Sequence, residues 1–390
     1  MSNWLAALIR RLCEHLCRTM NDISDSELVA AVRLSLVSGV GPILRKALLD
    51  HFGSPAAALA AAMSDLREVQ GIGPKLANAI AAARTEVDAE REIEICRERN
   101  VAIVTESDER YPRALLEIPD PPGVLFMRGE MKPQDAIGIA IVGSRHATTY
   151  GTTIAERLAS SLARAGVTIV SGLARGIDAA AHHGALEAGG RTIGVLGSGV
   201  LNIYPPEHAE LALEVIASGA LISETPPQSP PVAGAFPQRN RIISGMSLGV
   251  IVVEASDRSG ALITARHAME QNREVFAVPG RVDSRMSRGC HRLLRDGAKL
   301  VETADDVLEE LGPLVVPVPS ADGQAVHHPA ELMLNELEQQ VLAAIGSDPT
   351  FIDQVVSSSG LPVPQVLSTL SVLEMRRLVR RVSGTLVRRV

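Results

Sequence analysis

A doubly wound α/β fold is what this 390-residue sequence predicts, and three observations carry that reading. From about residue 91 to 312, short runs that are apolar throughout alternate with helical stretches. Strands buried on both faces of a parallel sheet have this pattern, whereas half-exposed antiparallel strands alternate apolar with polar residues. Ahead of that region a Gly-apolar-Gly-Pro pattern occurs twice between helical runs, and behind it three helical runs lead into a hairpin pattern. The expected fold class is therefore an α/β sheet domain between two smaller domains, since 390 residues exceed what a single core serves.

Residues 1–19, MSNWLAALIRRLCEHLCRT, read as an N-terminal extension, with Met20 opening a natural start. They have helical amphipathic spacing but lack the long apolar core and small-residue cleavage site of a secretory signal. Residues 20–90 hold LSLVSGVGPILRKALLDHFGS and LREVQGIGPKLANAIAAAR. Each sets a turn (Gly39-Val40-Gly41, Gly71-Ile72-Gly73) before a proline at the first helical position. The pair resembles a tandem helix-hairpin-helix (SAM-like) domain, whose glycines leave N–H groups for a phosphate; packing or a protein contact would explain the pattern as well.

In the central domain, 91–312, the expected strands are Val101–Thr105, Ile137–Val142, Val167–Ser171, Thr192–Leu196, Ala220–Ser223, Val250–Val253 and Glu274–Val278. Residues 313–331 are Pro-rich and aperiodic, hence a linker. Residues 332–390 read as helices over 335–347, 351–359 and 363–376, then a hairpin over 378–390 turning at Ser383-Gly384. That order resembles a winged helix. Arg376, Arg377, Arg380, Arg381, Arg388 and Arg389 give it local positive charge, which suits duplex DNA or a protein partner.

Bulk properties narrow the function. No apolar run approaches the length of a membrane span. Cys13, Cys17, Cys96 and Cys290 are too scattered for a disulfide framework and lack zinc-site spacing, so reduced thiols in the cytoplasm are expected. A formal net charge of -7 leaves binding to a polyanion to local patches.

Three turns at strand ends carry the candidate chemistry. In AIVGSRHATTYG, residues 140–151, an apolar strand enters a turn in which Gly143 and Ser144 let a phosphate approach and Arg145 adds a forked donor. Thr148, Thr149 and Tyr150 either bond a phosphate or cap the next helix. The stretch matches neither GxGxxG nor GxxxxGK[ST], so it calls for no dinucleotide or P-loop cofactor. In SGLARGIDAAAHHGAL, residues 171–186, Gly172 and Gly176 free the backbone, Arg175 meets a second phosphate, and Asp178 is placed instead to cap the helix that follows. His182 and His183 are adjacent and have no acidic partner at ligand spacing, which favours packed histidines over a metal site.

The third piece, residues 236–280, places Phe236 close to Arg239, Asn240 and Arg241. An aromatic face beside cations suits a single nucleic-acid strand, whose bases stack while its backbone is neutralised; a core phenylalanine with salt-bridged arginines is the alternative. Ser259, Gly260 and Thr264 follow Glu254 in another small-residue turn that opens a helix and is suited to one more phosphate.

IVGSRHATTYG, SGLARGIDAAAH, IGVLGSGVLNIYPPEH, RNRIISG and RSGALITARHAMEQNREVFAVPG resemble, in order and spacing, the DprA/Smf family. The resemblance covers about Asp108 to Lys299, and more weakly both ends. It implies an extended Rossmann-like domain without catalysis. It also implies DNA binding at Gly143, Ser144, Arg145, Arg175, Phe236, Arg239 and Arg241, homodimerisation, and loading of RecA during natural transformation. Arg377 and Leu386 depart from the family pattern, where a glycine and an aromatic residue are usual, which puts a shared role of the wing in doubt. Around Glu254 the chain also resembles nucleotide phosphoribohydrolases, but their glycine-rich motif is only half present. A third reading is a duplex-binding regulator with a nucleotide-sensing middle domain.

Overall fold

The structure is a computed structural model describing residues 26–312, 318–319, 325–326, 336–346, 349–375, 378–382 and 385–389. The expected N-terminal extension, Cys13, Cys17, most of the linker, Arg376, Arg377 and the Ser383-Gly384 tip lie outside the described residues. The chain divides into two compact units. One comprises the front to Arg128 with Ser198–Asn202 and Ile222–Pro231; the other holds Gly129–Gly197, Ile203–Leu221 and the chain from Val232 onward.

In the first unit, helix α1 (26–35) is followed by α2 (Pro42–Phe52), α3 (Pro55–Ala60), α4 (Met63–Leu66) and α5 (Pro74–Glu86). Pro42 and Pro74 start α2 and α5 after Gly41 and Gly73, where a missing N–H costs nothing. Gly39 and Gly71 hold φ of 94° and 91°, a region that disfavours a side chain. A Cβ on Gly39 would lie 3.3 Å from Leu76, and one on Gly71 2.8 Å from Leu44. Each hairpin turn thus receives the leucine in the third position of the other hairpin's helix, and the two repeats close over one core that includes Leu34, Leu48, Leu66 and Ile80. Helix α6 (Ala89–Glu98) leads to β1 (Ala102–Thr105), which pairs antiparallel with β2 (Val124–Gly129).

The remaining sheet elements follow as β3 (Gly138–Val142), α7 (Thr149–Arg164), β4 (Thr168–Ser171), α8 (Ile177–Glu187), β5 (Thr192–Val195), α9 (Ala209–Ser218) and β6 (Ala220–Ser223). After these come α10 (Ala235–Gly245), β7 (Gly249–Val252), α11 (Ala261–Glu270), β8 (Glu274–Ala277), α12 (Arg288–Arg295), β9 (Lys299–Leu300) and α13 (Ala304–Leu311). The nine-stranded order is β1-β2-β6-β5-β4-β3-β7-β8-β9, with β5, β4, β3, β7, β8 and β9 parallel in succession. All seven expected strands form. Two were not anticipated: β2, which follows a Pro-Pro-Gly stretch, and β9, whose two residues are exposed.

Every residue of β3, β4, β5 and β7 is buried, as strands covered on both faces require. Ile139, Ile141, Ile169, Ile251 and Phe276 join a core with α7, α8 and α13, and α11 packs on β7 and β8. Strand order grows outward from β3 through β4 and β5 on one side and through β7 and β8 on the other. Its flank is thus a topological switch point, where crevices open at the carboxyl ends of strands.

Toward the end of the chain, Val318–Pro319 and Ala325–Val326, within the expected linker, pair antiparallel. Helices α14 (Glu336–Ala343), α15 (Ile352–Ser359) and α16 (Val363–Met375) enclose a core of Val341, Val355, Leu370 and Val387. Three short antiparallel strands complete this part; the sequence anticipates only the two over Val379–Arg381 and Leu386–Arg389, the third being Thr350–Phe351. Among the described residues no helix is long and apolar enough to cross a membrane, and no group of three or more His, Cys, Asp or Glu residues is arranged to hold a metal.

Candidate nucleic-acid interface

An open pocket of about 270 Å³ lies at the carboxyl ends of the central strands, lined by Arg145, Gly172, Ala174, Arg175, Tyr204, Pro205 and Phe236. Two of the three expected turns and the start of α10 therefore meet at one place.

The turn after β3 is packed tightly. A Cβ on Gly143 would sit 2.6 Å from Ile177 Cγ1 and 3.1 Å from the Glu254 carbonyl, so only glycine fits. Ser144 is buried and its Oγ accepts from His146 N at 3.0 Å. Arg145 alone of this turn reaches the pocket, with its Cζ 5.2 Å from the centroid of the Phe236 ring. The expectation that a phosphate approaches this turn at the start of α7 needs correcting. Thr148 N and Oγ1 donate to the two carboxylate oxygens of Glu254 at 2.8 and 2.6 Å, while Thr148 Oγ1 accepts from Gly151 N. A carboxylate of the protein already occupies the place where a helix start attracts an anion, and Thr148 acts as the cap.

The turn after β4 supplies Gly172 and Arg175. Gly172 N donates to Asp178 Oδ2 at 3.1 Å. A Cβ on Gly172 would come within 2.6 Å of that oxygen and would run into the Arg239 guanidinium. Gly176, at φ 76°, lies against the Ser144 carbonyl. Arg175 is half exposed and paired with Glu207. That hydrogen bond raises the arginine's pKa and lowers the glutamate's. Glu207 competes for the guanidinium that a phosphate would use.

Phe236 opens α10. Its ring rests against Gly197, where a Cβ would lie 2.9 Å away, and stands 5.7 Å from the Tyr204 ring at 53°. The result is a pair of tilted aromatic rings with the Arg145 cation over one of them, Phe236, a favourable cation–π geometry. Arg239, by contrast, lies below the pocket. It is only 6% exposed, and Nη1 donates to the Val195 carbonyl. Burial lowers its pKa to about 10 against the opposing pull of Asp178, whose own carboxyl is pushed up by burial. Its guanidinium stands under Gly172, below the pocket surface.

Arg241, 4% exposed, and Thr264, 1% exposed, are also inside the fold; these two offer no donor at the surface. Asn240 Nδ2 donates to the Gly260 carbonyl at 3.3 Å, and Ser259 Oγ accepts from Ala261 N. The Ser259-Gly260 turn does not line the pocket. Sequence reasoning passed over Tyr204, Glu207 and Glu254 as parts of the site; aromatics are only 2% of the chain, and this scarcity is a signal that points to Tyr204, one of three tyrosines, as well as to Phe236. His182 is a packed histidine. Thr192 Oγ1 gives its proton to the Ile169 carbonyl, so it accepts from His182 Nδ1 at 2.7 Å. Burial drops the ring's pKa to about 3.

Comparison with known proteins gives three family matches: DNA recombination-mediator protein A over residues 102–312, the DprA winged helix domain over 325–385, and a SAM-like helix-hairpin-helix tandem over 31–85. The chain is 35% identical to Protein Smf of Synechocystis sp., across 93% of this chain and 98% of that one. It is 40% identical to DNA processing protein DprA of Bacillus subtilis, across 77% and 95%. The X-ray structure of DNA processing protein A from Streptococcus pneumoniae superposes with a TM-score of 0.61 at 34% identity, covering 72% of this chain and 95% of that one.

Proposed function

Since the chain belongs to the DprA/Smf family of DNA recombination-mediator proteins, we propose that its pocket holds single-stranded DNA as a step in recombination. In this reading an unstacked base lies on the Phe236–Tyr204 platform, while Arg145 and Arg175 neutralise adjoining phosphates. Arg239 adds positive potential through the glycine floor. The protein works in the cytoplasm as a homodimer, two pockets hold one incoming strand, and the strand passes to RecA, as in natural transformation. It needs no cofactor and performs no bond-breaking chemistry.

The observation that carries the reading is the stacking of Arg145 over Phe236 beside Tyr204. Bases offer a π-face whatever their identity and phosphates bring the charge, so aromatic faces interleaved with cations suit a strand without regard to sequence. The phosphoribohydrolase reading draws no support from Glu254, because both of its carboxylate oxygens are engaged by Thr148. Titration of labelled single-stranded and duplex oligonucleotides of the same sequence tests the proposal. Preference for the single strand is the expected result, and preference for the duplex would overturn it in favour of a duplex-binding regulator.

A further inference from the structure

The carboxyl edge that holds the pocket continues past β3 to β7 and β8, and the loops there bring more positive charge. Arg258 stands in the turn after β7, and Arg285 and Arg288 in the segment after β8; all three are exposed. None has a side-chain ion-pair or hydrogen-bond partner among the described residues. The acidic neighbours are Asp257, exposed in the same turn as Arg258, and Asp283, which Arg281 holds at 2.9 Å. Across residues 281–295 there are five arginines and one aspartate, in a chain whose formal net charge is -7.

The backbone fixes where these arginines stand. Ala255 N donates to the Met286 carbonyl at 2.7 Å and Gly289 N to the Ala255 carbonyl at 2.8 Å, a two-way latch between the end of β7 and the start of α12. Gly289 is required there, because a Cβ would lie 2.7 Å from the Ala255 carbonyl. On the other side of Arg258, Gly260 accepts from Asn240 of α10, the helix whose first turn carries Phe236. Three strand-to-strand steps lead from β4 through β3 and β7 to β8, about 14 Å at the usual sheet spacing. A polyanion leaving the pocket along this edge meets Arg258, then Arg285 and Arg288.

We propose that Arg258, Arg285 and Arg288 form a basic track that carries the phosphodiester backbone of a single DNA strand onward from the pocket across the ends of β7 and β8. The proposal rests on the single-strand reading of the pocket. The Ser259-Gly260 turn then lies beside the track, which gives this small-residue turn a place along the strand though it does not line the pocket.

The test compares oligothymidylates of about 4 and about 16 nucleotides, the ends of the usual range of single-strand site sizes. Both are titrated at several salt concentrations against the wild type and the Arg258→Glu/Arg285→Glu/Arg288→Glu variant. The short strand should bind the two proteins alike. The long strand should lose about tenfold or more at low salt, and its log-log salt slope should shrink by about 2, since each phosphate contact contributes about 0.7. The Lys triple variant should behave as wild type, and the Gln triple variant replaces the Glu one if that fails to fold. Arg292→Glu/Arg295→Glu, two reversals of the same kind about one and two turns further along α12, should leave the ratio of long-strand to short-strand affinity intact. An unchanged ratio in the triple Glu variant, or equal losses for both strands, would overturn the track while leaving the pocket standing. A wild type that binds neither strand, or an Arg145→Glu variant that binds the short strand as tightly as wild type, would overturn the pocket reading and the track with it.

Discussion

Replacing Phe236 with leucine separates stacking from charge. The ring rests on Gly197 and supports the Arg145 guanidinium 5.2 Å from its centroid. Leucine keeps apolar bulk over Gly197 but offers no π-face, while the pocket arginines, Arg145 and Arg175, remain. Loss of one base–aromatic stack is worth about 1–3 kcal/mol, which at about 1.4 kcal/mol per decade weakens single-strand affinity roughly 5- to 140-fold. The salt slope should not move, because it counts neutralised phosphates and not stacked bases. Fluorescence anisotropy with labelled oligothymidylate at several salt concentrations reads both quantities. Affinity unchanged within a factor of two would refute the platform, and a loss accompanied by a shallower slope would show that Phe236 acts only by positioning Arg145.

Three further outcomes follow from the same geometry. Glu207→Gln frees Arg175 from a competing carboxylate and should tighten single-strand binding; water screens an exposed pair of this kind, so the gain read by titration is about fivefold or less. The lowered pKa of Glu207 means that its pairing exists above the ordinary carboxylate range and is lost only as pH falls through the lowered value, so this gain should hold throughout neutral pH. Gly172→Ala drives a methyl group against Asp178 and Arg239 and should destabilise the protein by about 1–3 kcal/mol, read as a fall in Tm. Deleting residues 313–390, whose helices have their own core, should leave single-strand affinity largely intact; a large loss would place binding in the winged helix.

Burial decided what was legible in the sequence. Strands such as Gly138–Val142 and Gly249–Val252 announce themselves because both faces are covered and no residue is polar. Strand β9 has no such signal, as its two residues are exposed, and in β2 a short apolar run emerges from a proline-rich stretch. The phosphate-suited turns were legible from glycine beside arginine. Their internal partners were not: Thr148 meets Glu254 across 106 residues, and no local pattern encodes that contact. Arginine also reads as a surface residue by default, so the sequence counted Arg239 and Arg241 as contacts, while the fold places one beneath a glycine floor and buries the other. Only the assembled site reveals that this charge lies below the pocket surface.

The most direct test of the central claim is a salt titration of single-stranded DNA with wild type and Arg145→Glu side by side. Arg145 is exposed in the pocket over Phe236, so reversing its charge perturbs the site without opening the core. Strong salt-dependent binding by the wild type, with a log-log slope of about -0.7 per phosphate contacted, should be largely lost in the variant for every sequence alike. Equal binding by the two proteins, or a loss confined to particular sequences, would contradict the account.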